Sequence, residues 1–311
     1  MTRMALSMVC FALCVMVGSG AVRSYNPYRD TALADIRVRV MDDEGVPVEE
    51  AMVCADFYVA DAKVETVKRL TDSNGILEVR HRCNWELNIS VQKDGYYETD
   101  FKTKAFIAVS KEKATKTRKW SNGTVDIPVV LKRMRSPARL AFHDVNFAPI
   151  PATNEVVCLD LETFKWCPPY GNGKHRDLHL LYESWQNPTN WLSYYRKLTI
   201  TTPNCVDGFT VGKADSFSRF GYAYRADTNA TYRPLFVMEL DRRSGHITKN
   251  LKPKDDEYLI YRVRTQTNEL GRVTAANYGR IGEKPSHMFG LRMRSWFNPT
   301  PNDTNLEDAR P

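Results

Sequence analysis

The chain has 311 residues, 42% of them hydrophobic and 26% charged. That is enough for two domains, each with its own core, and it excludes a disordered, fibrous or collagen-like protein. The formal charge of +7 is concentrated, with ten Lys and Arg between Lys102 and Arg135 opposed only by Glu112 and Asp126; such a run suits an anionic surface polymer or lipid headgroup, or an edge strand that lysine keeps from aggregating.

Residues 1–21 read as a signal peptide. Arg3 supplies the positive start, Met4 to Val17 is an apolar run shorter than a membrane span, and Gly18 to Ala21 are small residues for cleavage. The alternative, an uncleaved anchor, is disfavoured by the shortness of the run. We expect a linker at 22–34 and a mature chain without an integral membrane segment, exported to the periplasm, cell envelope or extracellular medium. Export argues against nucleic acid as a partner and lets disulfides persist. If Leu161 to Phe164 closes a hairpin, Asp160 faces Lys165 and Cys158 faces Cys167. That is the first disulfide candidate, Cys54 with Cys83 is the second, and Cys205 is left over; buried free thiols are the alternative.

From Asp35 the pattern is short period-two strands with strong turns. Ile36, Val38 and Val40 alternate with Arg37 and Arg39, Asp42 to Gly45 turns the chain, and Asn74-Gly75 marks another turn. Trp85, Leu87, Ile89 and Val91 alternate up to Lys93-Asp94-Gly95, and Val125, Ile127 and Val129 make a last strand. No long helix interrupts them, which predicts a β-sandwich over 35–133.

The order "DIRVRVMDDEGVPVEEAMV", "TDSNGILEV", "ISVQKDGYYE" resembles the carboxypeptidase regulatory-like domain, a transthyretin-like seven-stranded sandwich. The residues that carry the likeness are Asp42, Gly45, Pro47, Val48, Ala51, Val53, Thr71, Asp72, Gly75, Lys93, Gly95 and Tyr96. The resemblance implies an accessory fold that spaces or presents something else, with no active site.

A second β-rich domain is expected over 138–311, where aromatics and Pro are dense and helical periodicity is lacking. Trp166, Lys174, Trp185 and Trp191 are candidates for sugar stacking and contact, although aromatics also fill β cores. The segment Pro168 to Leu180, "PPYGNGKHRDLHL", offers sharper readings. Gly171 to Lys174 lacks the spacing and the Ser or Thr of a phosphate loop. His175-Arg176-Asp177-Leu178 matches a kinase tetrapeptide, but Tyr182 stands where the metal-binding Asn belongs. On a strand, His175, Asp177 and His179 would project to one face as a metal-ligand set; strand alternation alone also generates such a polar stripe. Asp160, Glu162, Asp241 and Glu257 could serve as glycosidase acid and base only if the fold gathers them. No catalytic residue is identified and no cofactor is expected.

"VVCLDLETFKWCPPYGNGKHRDLHL", "YLIYRVRTQTNELGRVTAANYGRI" and "FNPTPNDTNLE" resemble a group of exported bacterial two-domain proteins, through Asp160, Leu161, Trp166, Pro169, Gly171, Gly173, Lys174 and Asp177. The resemblance implies architecture and location and no reaction. The expectation is an all-β, exported, non-catalytic envelope or extracellular module that binds a surface glycan or other polymer. The alternatives are a metal-dependent or carboxylate-based hydrolase centred on Asp177 and a structural partner of an envelope protein.

Overall fold

The structure, a computed structural model, describes residue 26 and residues 30–215, 217–250, 253–254, 256–286 and 290–309. The expected signal peptide and most of the expected linker lie outside the described residues. The strands are β1 (Ala32–Asp42), β2 (Met52–Tyr58), β3 (Val64–Leu70), β4 (Ile76–Cys83), β5 (Leu87–Gln92), β6 (Tyr96–Tyr97), β7 (Thr99–Thr103), β8 (Val125–Arg133), β9 (Ala141–Ala148) and β10 (Val156–Asp160). They continue with β11 (Lys165–Trp166), β12 (Leu178–Gln186), β13 (Tyr194–Thr201), β14 (Gly208–Lys213), β15 (Leu235–Asp241), β16 (Thr248–Asn250), β17 (Glu257–Thr267), β18 (Val273–Ser286) and β19 (Leu291–Phe297). One short helix, α1 (Lys111–Thr117), is capped by the Ser110 side chain. The protein is all-β.

The first core obeys the two-residue period. Along β1, Ala34, Ile36, Val38 and Val40 are buried, while Arg37 and Arg39 face solvent and pair with Glu78 and Asp126. Val53, Ala55 and Phe57 of β2, Ile89 and Val91 of β5, and Ile127 and Val129 of β8 meet them. These residues join two four-stranded sheets, ordered β4-β1-β8-β6 and β3-β2-β5-β7. The count is eight strands rather than seven. β3 has no apolar face to betray it; it is an exposed edge carrying Glu65, Lys68 and Arg69, the charged residues that discourage edge-to-edge pairing. β1 and β8 run parallel, from Ile36 opposite Val125 to Asp42 opposite Leu131.

Several residues of the regulatory-domain likeness have a mechanical reason. Asp42 Oδ1 accepts the Glu44 and Val46 amides at 3.0 and 2.8 Å, and Gly45 takes φ +82°. Asp72 does the same for Asn74 and Ile76, at 2.9 and 2.8 Å. Thr71 Oγ1 donates to the Val48 carbonyl and accepts the Ala51 amide, tying the two turns together. The Val46 to Val48 stretch is not a strand; Pro47 makes an isolated bridge with Met41.

The second core lies between a six-stranded sheet, ordered β11-β10-β12-β13-β15-β16, and a five-stranded sheet, ordered β14-β17-β18-β19-β9. Leu159, Leu178, Leu180, Leu198, Ile200 and Met238 pack against Tyr261, Val263, Ile281, Met293 and Phe297. Tyr232, Tyr258, Ile260, Tyr278 and Leu306 form a further cluster. Much of the aromatic density therefore serves cores. The two sandwiches are bound together: the Asp100 amide donates to the Phe217 carbonyl, Arg219 N to Glu98 O, and Tyr224 Oη to Arg133 O.

Gly75 takes φ +71°, and a Cβ there would sit 2.3 Å from the Val40 carbonyl; at Gly45 nothing lies within 4 Å. Gly45→Ala is expected to cost about 1 kcal/mol from left-handed strain alone, and Gly75→Ala at least about 2 kcal/mol because backbone must also move. Urea denaturation of the two variants measures the difference, and equal losses would contradict it.

Candidate functional site

The β10–β11 hairpin forms in the expected register, with Asp160 opposite Lys165. The Cys167 amide donates to the Cys158 carbonyl at 2.8 Å, so these two cysteines face each other; both are free thiols, as are Cys54, Cys83 and Cys205. The second candidate pair is not brought together. Cys54 sits on the outward-facing side of β2, beside Asp56, whereas Cys83 ends β4 in the opposite sheet with its side chain in the core.

The Pro168 to Leu180 segment is folded around buried carboxylates. Asp160 Oδ2 accepts the Lys174 and His175 amides at 2.9 and 3.3 Å, and its Oδ1 accepts Glu162 N at 3.0 Å. Asp177 Oδ2 accepts Leu161 N at 2.9 Å. Both carboxylates meet Arg264: Nε and Nη2 donate to Asp177 at 2.8 and 2.9 Å, Nη2 to Asp160 at 3.3 Å, and Nη1 to Glu162 at 2.8 Å. The side chains of Asp160 and Asp177 are each 1% exposed. Arg264 reaches them from a bulge in β17, where its φ is +57°, and its guanidinium lies over the Phe297 ring. Burial disfavours the Asp160 charge, yet the amides of Lys174, His175 and Thr163 outweigh it and hold the carboxyl below its ordinary range. Burial likewise opposes charge on Arg264, but the hydrogen bonds it donates to Asp177 and Glu162 raise its pKa above that of a free guanidinium. The glycines of the segment have a steric reason: a Cβ on Gly171 would lie 2.3 Å from Trp166 O, and one on Gly173 2.5 Å from Lys165 O.

This arrangement separates the metal candidates. β12 begins only at Leu178, so His175 and Asp177 precede the strand; His175 is exposed, Asp177 is buried on Arg264, and His179 is a half-buried member of β12 opposite Cys158 and Thr201. Burial, then Arg176, lowers the His179 pKa. Among the described residues no group of three His, Cys, Asp or Glu is placed to hold a metal ion. Asp160 and Glu162 are gathered, with Asp177, but by a bridging arginine; Asp241 is bound by Arg243 and Glu257 by the Lys254 amide, each elsewhere.

The candidate aromatics also part company. Trp166 is half-buried against the second core and Lys174 is an exposed turn residue, both near the start of β12. Trp185 lies near its end, seven residues beyond Leu178 and so about 24 Å away at strand rise. There it faces Tyr195 across the β12–β13 ladder, on the side of the sheet turned from the core. Trp185 is 45% exposed, and Trp191, in the connecting loop, is 78% exposed. Gln186 Nε2 donates to the Trp191 carbonyl, and Arg243 stacks on Tyr195 at 4.5 Å. Glu183, paired with Lys197 at 3.1 Å, and Asp241, opposite Tyr195, ring this platform with donors and acceptors.

The basic run is divided. Lys104 and Lys111 stack on Trp85, and Lys116 pairs with Glu112, whereas Arg133 and Arg135 pair with Asp42 and Asp43 near the second sandwich. A cavity of about 810 Å³ opens between the sandwiches beside Tyr96 and Met134; its Lys93 and Arg219 are paired with Glu50 and Glu98. A smaller one, about 340 Å³, is lined by aromatics and arginines, among them Arg280.

No protein-family model matches the chain, and no curated protein matches it. Among solved structures it is similar to the 3-chlorocatechol 1,2-dioxygenase of Rhodococcus opacus 1CP, with 12% identity and a TM-score of 0.26. The likeness covers 34% of this chain and 61% of that one, and carries no argument about fold or chemistry.

Arg264→Met leaves two buried carboxylates without their cation and is expected to cost about 3–5 kcal/mol. Because the Asp160 pKa is lowered by folding, its contribution is present in full above the ordinary carboxylate value of about 3.9 and is lost as pH falls through the folded value. Thermal melts from pH 7 to 3 should show Asp160→Asn starting lower at neutral pH and falling less steeply than wild type; parallel curves would contradict the assignment.

Proposed function

We propose that the protein is an exported, non-catalytic module of the cell envelope or extracellular medium that binds a surface glycan. Its first sandwich, with turns built on Asp42, Thr71, Asp72 and Gly75, acts as a carboxypeptidase regulatory-like spacer, and its second presents the ligand surface. The observation that carries the reading is the Trp185–Tyr195 register pair, outward-facing and flanked by Glu183, Lys197 and Arg243, with the exposed Trp191 in the loop that follows β12. Aromatic faces pack on the apolar faces of sugar rings, and a surrounding ring of charged and amide groups can hydrogen-bond the hydroxyls. Export rests on the Met1 to Gly20 pattern; among the described residues no helix is long and apolar enough to cross a membrane.

A reaction centred on Asp177 has less in its favour, because that carboxylate is shielded from water and committed to Arg264 and Leu161. A general acid or a metal ligand must reach its substrate.

Binding to a panel of immobilised glycans tests the reading. Trp185→Ala and Trp191→Ala should each weaken the best ligand roughly five- to tenfold, about 1 kcal/mol of stacking, without lowering the melting temperature. Absence of saturable binding to every glycan, or binding indifferent to both substitutions, would sink it.

A further inference from the structure

A second ligand feature lies where the sandwiches meet, about an arginine that makes no ion pair among the described residues. Arg280, in β18, is 2% exposed. Its guanidinium carbon is 3.9 Å from the Trp296 ring centroid, 4.1 Å from that of Tyr222 and 5.4 Å from that of Phe220. Nη1 donates to the Leu306 carbonyl at 3.1 Å. Nε is buried with no hydrogen-bond partner, one of two such side-chain atoms among the described residues. Burial dominates its titration and lowers the pKa to about 10, so at neutral pH it remains a cation taken out of water.

The contrast with Arg264 is sharp. There three carboxylates converge on one guanidinium; at Arg280 aromatic rings and the Leu306 carbonyl supply the contacts, and no ion pair forms among the described residues. Cation–π contact at a desolvated site offsets only part of what an uncompensated buried charge costs. The neighbourhood adds positive charge. Arg219 and Arg294 line the same cavity, each paired with an acid, Glu98 and Asp144. Lys132, half-buried, stacks on Phe220. Asp308 also lines the cavity, and its charge favours the Arg280 cation. Arg219 and Arg294 are neutralised by Glu98 and Asp144, which leaves Arg280, with its one unfilled donor, as the arginine of the lining that makes no ion pair among the described residues.

At about 340 Å³ the cavity falls at the small end of the roughly 300–1,000 Å³ range of small-molecule sites, which limits an occupant to about one ring. Trp296, Tyr222 and Phe142 give it flat apolar walls.

We propose that this cavity binds a ring-bearing monocarboxylate, whose carboxylate pairs with the Arg280 guanidinium while its ring packs against Trp296, Tyr222 and Phe142. A uronic acid and an aromatic acid share this chemistry. The site is separate from the Trp185–Tyr195 platform, on the other sheet of the sandwich, and does not depend on the glycan reading.

Titration calorimetry on the full chain, with glucuronate and benzoate as probes and glucose and benzyl alcohol as neutral counterparts, decides the matter. One carboxylate should bind at one per chain, at least tenfold tighter than its neutral counterpart. Glucuronate and benzoate distinguish a sugar acid from an aromatic acid. Arg280→Met should abolish the binding. Because that substitution can also disturb the junction, Arg294→Glu serves as the second variant: Arg294 is at the half-exposed rim, and reversing its charge should weaken the carboxylate tenfold or more with the melting transition retained. No saturable heat from either acid, neutral compounds binding equally well, or affinity unchanged in Arg294→Glu would each overturn the proposal.

Discussion

Glu307 is the carboxylate on which the junction depends. It is 1% exposed and has three donors from two parts of the chain: Tyr97 Oη at 2.9 Å, Arg135 N at 2.9 Å and Ser136 N at 2.7 Å. A buried carboxylate is tolerable only when such donors replace its water, so Glu307 forces β6, the interdomain linker and the C-terminal segment to meet in one geometry. Burial, reinforced by Glu307, drives the Tyr97 hydroxyl above its ordinary pKa, which keeps it a donor. Asn305 Nδ2 adds a hydrogen bond to Ser136 O, and Arg280 holds the carbonyl of Leu306 between them. The wall of the arginine-lined cavity is thus set by a residue that lines none of it.

The second sandwich contains two arginines on neighbouring strands, Arg264 partly and Arg280 fully buried, with opposite electrostatics. Arg264 is over-compensated and serves as a rivet: it fixes the β10–β11 hairpin and the glycine-rich segment to β17. Its left-handed backbone is the conformational cost of reaching three carboxylates. Arg280 is under-compensated and stacked between rings. A fold that neutralises one so fully has the means to neutralise the other, and the difference is what separates a structural cation from a recognition group.

The period-two runs made β1, β2, β5 and β8 legible, because burial on one face dictates alternation, and the Asx-type turns announced themselves through Asp42 and Asp72. The hairpin register at Asp160 and Lys165 was readable for the same reason: a short turn fixes pairing. β3 was not, since an exposed edge has no hydrophobic face to show. Asp177 stands out in the sequence, but the contacts it makes do not. Placing it on a strand with His175 and His179 gave it a metal's geometry, but β12 starts one residue later, and the carboxylate turns inward to an arginine 87 positions away. Nothing local marks Arg264, which sits two residues from Arg262 in the same alternating strand, or Arg280, whose setting is made by Tyr222 and Trp296 from distant segments. Long-range charge pairing leaves no periodic trace in a chain.

The parallel pairing of β1 and β8 carries one further meaning. These are the first and last strands of the first sandwich, so the chain enters beside β1 at one end of the sheet and leaves from β8 at the other. A pull between Ala32 and the linker after Arg133 drives the two strands past each other along their axes, and the register pairs from Ile36–Val125 to Asp42–Leu131 bear the load together in shear. Antiparallel terminal strands would instead unzip one hydrogen bond at a time. The first sandwich is therefore arranged so that tension applied along the chain loads its terminal strands in shear.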